Sequence, residues 1–226
     1  MVFLPAVAAL LGTKEPTEPW MGLQRRVEVP AFCMDVYEHP NQQGSVPTVS
    51  LRWQDADALC RAADKRLCTA DEWERACRGA DGRRFGYGEE FRQDICNTPL
   101  LAIGGPGPSK QAPLAGSGSH PGCHTPEGIF DLDGNVSEYV SDPWDADRYG
   151  DQTAGLSVAT FQRDPTVYNF RSDTKSPNHA WHTLRGSTMW QTDYGNSCLA
   201  RHGHPDSSSG IDDGFRCCSD PRVEKQ

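Results

Sequence analysis

The chain has 226 residues, with 22 Lys and Arg against 31 Asp and Glu, which gives a formal net charge of -9 and a pI near 5.2. This balance excludes the common modes of nucleic-acid binding, which need clustered basic side chains, and it favours divalent cations or neutral ligands. With 36% apolar residues the chain can bury one sizeable core, and we expect a single domain over residues 1–226. A mean hydropathy of -0.64, with 22 Gly and 17 Pro, predicts many turns and long ordered loops.

Cysteine is abundant, and its spacing contains neither a CxxC pair nor a zinc-ribbon pattern, so disulfides are the better interpretation. Disulfides persist in oxidising compartments, which predicts a periplasmic or secreted protein. The count is odd, so at least one thiol is left over. The nine cysteines are at positions 33, 60, 68, 77, 96, 123, 198, 217 and 218.

The segment from Met1 to Gly12 is apolar, but it lacks a basic start and carries Pro5 early, which is not typical of a signal peptide. We interpret it as the first strand of the domain. An export signal is then expected to have been removed or replaced at Met1. Later segments do not approach the length needed to cross a membrane.

The first predicted helix runs from Trp53 to Ala63, after the β-type run VPTVS, with Ser50 in its cap region. A spacing close to 3.6 residues indicates one buried face. The residues on this face are Ala56, Leu59, Cys60 and Ala63.

The second predicted helix has clearer boundaries. Thr69 and Glu72 have the spacing of a capping box, in which each side chain accepts a hydrogen bond from the other residue's backbone, and Gly79 is a typical terminator. Its buried residues are expected to be Trp73, Ala76 and Cys77.

After Gly79 the turn residues recur every few positions, which predicts loops and short strands. The stretch 149–182 shows no apolar periodicity, and we interpret it as a loop insertion.

Five segments, in this order along the chain, resemble the formylglycine-generating enzyme (sulfatase-modifying factor) family. The similarity extends over essentially the whole chain, including MVFLPA and VEVPAFCMDVYEHPN. It implies an α+β fold, a single C-type-lectin-like domain with two helices, short twisted sheets and many long loops. The segments are VPTVSLRWQDADALC, KRLCTADEWERACRG, GIFDLDGNVSEYV, LRGSTMW and CLARHGHPDSSSGIDDGFRC.

The resemblance also implies disulfides. It pairs Cys60 with Cys217 and Cys77 with Cys198, which would fasten both helices to the C-terminal segment. Two further pairs, Cys96 with Cys123 and Cys33 with Cys68, are expected with less support, and they would leave Cys218 free.

A calcium site is implied in DLDGNVSEYV. By similarity, Asp131 and Glu138 supply carboxylate oxygens and Gly134 and Val136 supply backbone carbonyls, a ligand set of hard oxygens that suits Ca²⁺ rather than zinc. Without the resemblance, the same residues would be interpreted as an ordinary Asx turn followed by a solvated Glu. A second family site would use Asn97 and the Thr98 carbonyl, but the 104–110 loop lacks the family's Asp.

The family's catalytic cysteines are missing. The enzymes hold copper(I) between two cysteine thiolates, a soft ligand set that suits this ion. Here Trp190 stands where the first cysteine is expected, and the second position falls near Gly195 in a shortened segment. The resemblance therefore implies a scaffold with bound Ca²⁺, without copper, and with no copper-based enzyme activity.

The resulting prediction is a non-catalytic, calcium-stabilised binding domain that recognises a protein, peptide or carbohydrate ligand through its C-terminal loops. No nucleic-acid partner is expected. Trp144, Tyr149 and Trp181 are further aromatic candidates for the ligand cleft. Its predicted residues are Ser187, Trp190, Tyr194, Arg201, His202, His204, Asp206, Ser207 and Ser208.

Two alternatives stay open. His202 and His204, with His179 and His182 upstream, could hold a metal for an oxygen-dependent oxidase, although most exposed histidines are solvated. The segment 188–213 could instead present variable side chains, as in a lectin-like receptor. The ligand and the oligomeric state are not encoded in any recognisable pattern.

Overall fold

The computed structural model describes residues 1–14, 22–98, 113–144, 180–187, 197–207 and 209–221. Within these ranges the protein has two helices and ten short strands, an α+β architecture with long connecting loops. The helices are α1 (Trp53–Ala62) and α2 (Ala70–Arg78). The strands are β1 (Val2–Leu4), β2 (Val7–Leu11), β3 (Arg25–Val29), β4 (Phe32–Met34), β5 (Arg66–Leu67), β6 (Ser137–Pro143), β7 (Trp181–Arg185), β8 (Arg201–Pro205), β9 (Asp213–Phe215) and β10 (Cys217–Ser219).

The strands form three sheets. Their orders are β1-β4-β10-β5, β2-β3 and β8-β7-β6-β9. The first sheet contains strands from both ends of the described chain. The N-terminal strand β1 pairs with β4, and β4 pairs with the C-terminal strand β10. The third sheet is antiparallel except for the parallel pair β6 and β9.

The apolar N-terminal segment forms two strands in two different sheets, so the prediction of one first strand is wrong. β1 pairs with β4 and β2 pairs with β3, and Pro5 lies between them. Proline has no backbone N–H and a fixed φ, so it interrupts a continuous ladder.

Helix α1 confirms the prediction in position but not in its details. Its N-cap is Arg52 rather than Ser50, and the Asp55 carboxylate accepts a hydrogen bond from the Arg52 backbone N–H at 3.1 Å. Ala56 and Cys60 are buried, whereas Leu59 is 39% exposed. The buried stripe is therefore the i, i+4 pair, and Leu59 lies just outside it.

Helix α2 confirms its capping-box prediction. Glu72 N donates to Thr69 Oγ1 at 3.1 Å, and Thr69 N donates to Glu72 Oε2 at 2.8 Å. Gly79 ends the helix with φ +65°, in the left-handed region that favours glycine. Trp73, Ala76 and Cys77 are buried as expected. Neither of the described helices is long and apolar enough to cross a membrane.

The β8-β7-β6-β9 sheet separates two environments, because successive side chains of a strand point to opposite faces. One face, which we call the α2 face, carries Glu138, Arg185 and Arg201 in register. The opposite α1 face carries Tyr139 and Leu184, which pack in one apolar cluster with Ala56 and Cys60 of α1.

The α2 face is held by one buried carboxylate, Glu74 of α2. Its Oε2 accepts from Arg185 at 2.8 Å and from Arg201 at 2.9 Å, and its Oε1 accepts from the Gly12 N–H at 2.6 Å. Burial alone would raise the pKa of Glu74, but the guanidinium charges of Arg185 and Arg201 outweigh it, and the pKa is lowered. One ionised side chain thus joins α2, β7, β8 and the N-terminal segment.

Four disulfides cross-link the described chain, and three of them were predicted, two by the resemblance and one with less support. The three longest loops close over 157, 150 and 121 residues. In the chain-entropy model each of these is worth about 5 kcal/mol against the unfolded state. The two pairs that the resemblance implied are Cys60–Cys217 and Cys77–Cys198, and the less supported pair is Cys96–Cys123.

The expected Cys33–Cys68 pair is wrong. Cys68 bonds Cys218, with Cα atoms 4.9 Å apart, and Cys33 is the free cysteine. Strand pairing explains the difference, because β10 places Cys218 opposite Arg66 and so beside Cys68. Cys33 is only half-buried and lies between two buried residues of β4, so it faces away from the core.

The predicted insertion over 149–182 lies outside the described residues except for its last three positions. Of these, Trp181 and His182 belong to β7.

Replacing Glu74 by Gln should destabilise the fold strongly, since it leaves Arg185 and Arg201 buried without their shared carboxylate. Breaking a buried pair in this way typically costs about 3–5 kcal/mol. The measurement is the free energy of unfolding by chemical denaturation. The control is Asp57→Asn in the α1 pair with Arg61, whose side chain is 73% exposed, and it should cost less than about 1 kcal/mol. Equal losses in the two variants would contradict this role of Glu74.

Candidate functional site

The loop from Asp131 to Val136 turns tightly just before β6. Asp131, Gly134 and Asn135 have φ values of +59°, +91° and +62°, so three residues adopt the left-handed region. Asp and Asn tolerate this region better than most residues because their short side chains hydrogen-bond locally. Gly134 is required for a second reason, since a Cβ there would lie 2.6 Å from the Asn97 carbonyl oxygen.

The loop contains two backbone carbonyls that have no hydrogen-bond partner among the described residues. Neither the Gly134 nor the Val136 carbonyl accepts a hydrogen bond from another described residue. Both residues are buried, and buried carbonyls are normally paired. These are the two backbone oxygens that the sequence assigned to calcium, and an oxygen-seeking cation would satisfy them.

Asp131 is nearly buried, and its Oδ2 accepts from the Gly118 N–H at 2.6 Å. Burial raises the pKa of Asp131 to about 6, and the neighbouring Glu138 charge adds to the effect, while the hydrogen bond from Gly118 and the charge of Arg216 oppose it. A carboxylate in this state is unfavourably charged at neutral pH unless a cation approaches it.

The Glu138 carboxylate is already occupied. Trp73 Nε1 donates to its Oε2 at 2.7 Å, and Arg216 donates to Oε1 from Nη2 at 2.7 Å and to Oε2 from Nε at 2.8 Å. Arg216 also donates to the carbonyls of Asp35 and Phe130. With about four lone-pair directions and three donors, the carboxylate of Glu138 has at most one direction left for a metal.

Glu38 is a member of this cluster that the sequence reasoning missed. It is fully buried, and its carboxylate accepts from Ser117 Oγ at 2.6 Å and from Asn135 Nδ2 at 3.0 Å. Burial, followed by the charges of Asp131 and Glu138, raises the pKa of Glu38 well above its usual value. A lone Glu four residues after a buried strand was the available signal, but nothing local connects it to the loop at Asp131.

The three carboxylates of Glu38, Asp131 and Glu138 share one guanidinium, that of Arg216. We call these four residues the acidic cluster. Buried carboxylates in excess over cations are unfavourable, because desolvation penalises each uncompensated charge.

The residues proposed for a second calcium site lie beside this loop. Asn97 Nδ2 donates to Asn135 Oδ1 at 2.8 Å and to the Pro113 carbonyl at 3.0 Å, and Asn97 O accepts from Asn135 N. Thr98 is buried next to it. The 104–110 loop lies outside the described residues.

A second polar cluster lies on the α1 face of the third sheet. His202, His204 and Asp213 each bring a nitrogen or oxygen within 4.8 Å of the others. His204 Nδ1 lies 2.7 Å from Asp213 Oδ2. This contact joins the two edge strands of the sheet, β8 and β9.

Burial controls the charges in this second cluster. Burial, together with the charge of His204, lowers the pKa of His202 to about 3, so His202 is neutral at physiological pH. Burial alone would raise the pKa of Asp213, but the hydrogen bond from His204 and the charges of both histidines outweigh it, and the pKa is lowered.

The residues predicted for the ligand cleft are divided between the interior and the surface. Ser187 is buried and accepts from the Gly134 N–H, and Arg201 is buried against Glu74, so these two form part of the core. Ser207 is exposed and Asp206 is half-buried. Asp206 and Ser207 line a surface cavity of about 360 Å³ together with Arg52 and Gln54 at the N-terminal end of α1.

Several predicted positions cannot be placed because they lie outside the described residues. They are His179, Trp190, Tyr194, Gly195 and Ser208, together with Tyr149 of the aromatic candidates. Among the described aromatics, Trp144 packs on Gly203, where a Cβ would approach its ring to 2.3 Å. Trp181 is half-buried at the start of β7.

The thiols can be counted completely, because all nine cysteines lie within the described residues. Four disulfides use eight of them, and Cys33 remains. A site built from two cysteine thiolates therefore cannot be assembled from this chain while its disulfides are intact.

Comparison with known proteins identifies the family. Residues 26–221 match the family described as "Sulfatase-modifying factor enzyme 1-like domain". The formylglycine-generating enzymes of Thermomonospora curvata and Streptomyces coelicolor are 30% and 34% identical, over 91% and 82% of this chain. The chain spans only 66% and 55% of the length of these two relatives.

A relative described as inactive is also similar. The "Inactive C-alpha-formylglycine-generating enzyme 2" of Mus musculus is 28% identical over 91% of this chain and 54% of that protein.

Solved structures show the same fold at lower identity. PvdO from Pseudomonas aeruginosa has a TM-score of 0.67 at 18% identity, covering 97% of this chain and 93% of that chain. The Treponema denticola variable protein 1 has a TM-score of 0.67 at 16% identity, covering 98% and 95%. At these identities the likeness concerns the fold alone. With the family match over residues 26–221, the chain belongs to the formylglycine-generating enzyme (sulfatase-modifying factor) family.

Proposed function

We propose that this chain is a non-catalytic, calcium-stabilised binding domain of the sulfatase-modifying-factor family. The observation that carries the proposal is the thiol count, since Cys33 is the one cysteine outside the four disulfides. Formylglycine formation in this family, as the resemblance implies it, depends on copper(I) held by two thiolates. Copper(I) prefers soft sulfur ligands, and one thiol cannot supply a pair of them.

The position of Cys33 strengthens this argument. It lies on β4, in the β1-β4-β10-β5 sheet, and not on the β8-β7-β6-β9 sheet that carries the predicted cleft residues. The similarity to an inactive member of the family in Mus musculus agrees with a scaffold used without its original chemistry. Fold alone does not decide between these uses.

Calcium fits the loop from Asp131 to Val136. Two buried carbonyls without described partners and one buried carboxylate form an oxygen ligand set, which Ca²⁺ accepts at six to eight positions. The acidic cluster supplies the electrostatic reason, because a divalent cation would compensate Asp131 and Glu38. Glu138 has at most one lone pair to offer, so Asp131 is the principal charged ligand.

We assign ligand recognition to the surface formed by the N-terminal end of α1 and the loop after β8. The cavity of about 360 Å³ is lined by Arg52, Gln54, Asp206 and Ser207. Its size lies at the lower end of the range for small-ligand sites. The lining offers one side chain of each charge and two neutral hydrogen-bonding side chains, a combination that suits a polar peptide segment or a sugar.

The disulfides also support a location in an oxidising compartment, extracellular or periplasmic. Three of them close loops of more than a hundred residues, and cytosolic thiol systems would keep such cysteines reduced.

Calcium should raise the melting temperature of the wild-type protein, and Asp131→Asn should abolish this gain. At a hundredfold excess over Kd the stabilisation amounts to ~2.7 kcal/mol. The measurement is thermal unfolding in calcium and in chelator. Asp133→Asn is the matched control, because Asp133 is an equally buried carboxylate of the same loop whose pKa is raised to about 7, mainly by burial. Asp133→Asn should keep the calcium response, and an equal response in Asp131→Asn would contradict the site.

In chelator the stability difference between Asp131→Asn and wild type should depend on pH. The pKa of Asp131 in the fold is about 6 against an ordinary value of 3.8, so its charge destabilises the calcium-free protein above this interval but not below it. At about pH 7.5 Asp131→Asn should be more stable than wild type by up to about 3 kcal/mol, and near pH 4 the difference should shrink towards zero. A constant difference across this range would show that Asp131 is not the group responsible.

A cysteine-containing sulfatase-type peptide should keep its thiol when incubated with the protein, copper and oxygen. The measurement is peptide mass, with the formylglycine-generating enzyme of Streptomyces coelicolor as the positive control. Conversion of the peptide cysteine to formylglycine by this chain would overturn the non-catalytic proposal.

A further inference from the structure

We infer that His202, His204 and Asp213 form a binding site for a divalent first-row transition ion of the Zn²⁺ or Fe²⁺ class, separate from the calcium loop and independent of the proposed function. The three side chains come from two strands, β8 and β9, at opposite edges of one sheet. Two imidazoles and one carboxylate are a ligand set found in zinc enzymes and in non-haem iron proteins.

The distances fit a single ion. The ligand atoms lie within 4.8 Å of one another, and His204 Nδ1 and Asp213 Oδ2 are 2.7 Å apart. Ligands at 2.0–2.2 Å from a tetrahedral ion are roughly 3.3 Å from each other. His204 and Asp213 therefore need to move only slightly apart for the ion to bind between them.

The second observation is that a potential ligand atom in this cluster has no hydrogen-bond partner among the described residues. Asp213 Oδ2 accepts from the Gly210 N–H at 3.1 Å and lies against His204, but Asp213 Oδ1 is buried and has no hydrogen-bond partner among the described residues. His202 is 8% exposed, and its ring makes no hydrogen bond to another described residue. Buried polar atoms are rarely left unpaired, so a ligand for Asp213 Oδ1 is expected.

The ligands are also held rigidly. His202 and His204 alternate with Gly203 on β8, so both rings point to the α1 face while Gly203 points to the other. Trp144 packs directly on Gly203, and no larger residue fits between them. Tyr139 Oη donates to Asp213 Oδ2 at 3.4 Å and orients the carboxylate.

The site has a route to solvent at His204, whose side chain is 21% exposed while that of Asp213 is fully buried. Three protein ligands leave at least one coordination position open, as in catalytic rather than structural zinc sites. The mixed nitrogen and oxygen set disfavours Ca²⁺, which prefers oxygen ligands, so the two cation sites should not exchange ions.

The experiment is a titration of the chelator-treated full chain with Zn²⁺ and with Co²⁺, in saturating Ca²⁺ and without reductant. We expect one ion per chain, and the Co²⁺ absorption bands of a nitrogen and oxygen site. Removing a residue that only hydrogen-bonds to a metal ligand typically weakens metal binding ~10–100-fold. His204→Gln and Asp213→Asn remove ligands themselves, so each should weaken binding by at least this factor.

Two control variants exclude other ligands. Cys33→Ser removes the free thiol, and His120→Gln removes a half-buried histidine outside the proposed site. Both should bind as wild type does. Binding that is lost in Cys33→Ser, or that is unchanged in His204→Gln, would overturn the site.

The wild-type protein alone provides a further test, in case the buried-ligand variants fail to fold. X-ray absorption of the zinc-loaded wild type should show two imidazole ligands with oxygen. Sulfur ligation, or fewer than two imidazoles, would overturn the assignment.

Discussion

Disulfide bonding is the constraint on which the rest of the structure depends. The helices of this domain are short, and the described core is completed by strands from both ends of the chain. Cys60–Cys217, Cys68–Cys218 and Cys77–Cys198 fasten α1, β5 and α2 to the C-terminal region. The same bonds limit the thiols that the chain can offer, because a cysteine in a disulfide cannot be a thiolate ligand of copper.

Within this cross-linked frame, buried charges position the loops. Glu74 joins two arginines of the third sheet to α2, and Arg216 joins Glu138 to the carbonyls of two separate loops. Glu74 is balanced, whereas the acidic cluster has more carboxylates than cations. The proposed calcium site lies where this imbalance is greatest. The histidine cluster on the opposite face of the sheet has nitrogen ligands, so the two faces suit different ions.

The sequence predicted one local motif and two long-range disulfides correctly, and it missed contacts that depend on strand pairing. The capping box of Thr69 and Glu72 is contained within four residues, so sequence was sufficient for it. The bond between Cys68 and Cys218 follows from the pairing of β5 with β10, which no local pattern reveals. Glu38 was missed for the same reason, since its hydrogen-bond partner Asn135 lies 97 residues away in the sequence. Ser187 and Arg201 looked like cleft residues only because their buried partners could not be seen.

The most direct test of the central claim is a count of free thiols. The purified protein is denatured without reductant, alkylated and weighed intact, and the modified residue is located by peptide mapping. The structure predicts one alkylated cysteine per chain, at Cys33. Alkylation of two or more cysteines would contradict it, because a pair of thiols would then be available to bind copper as the family's enzymes do.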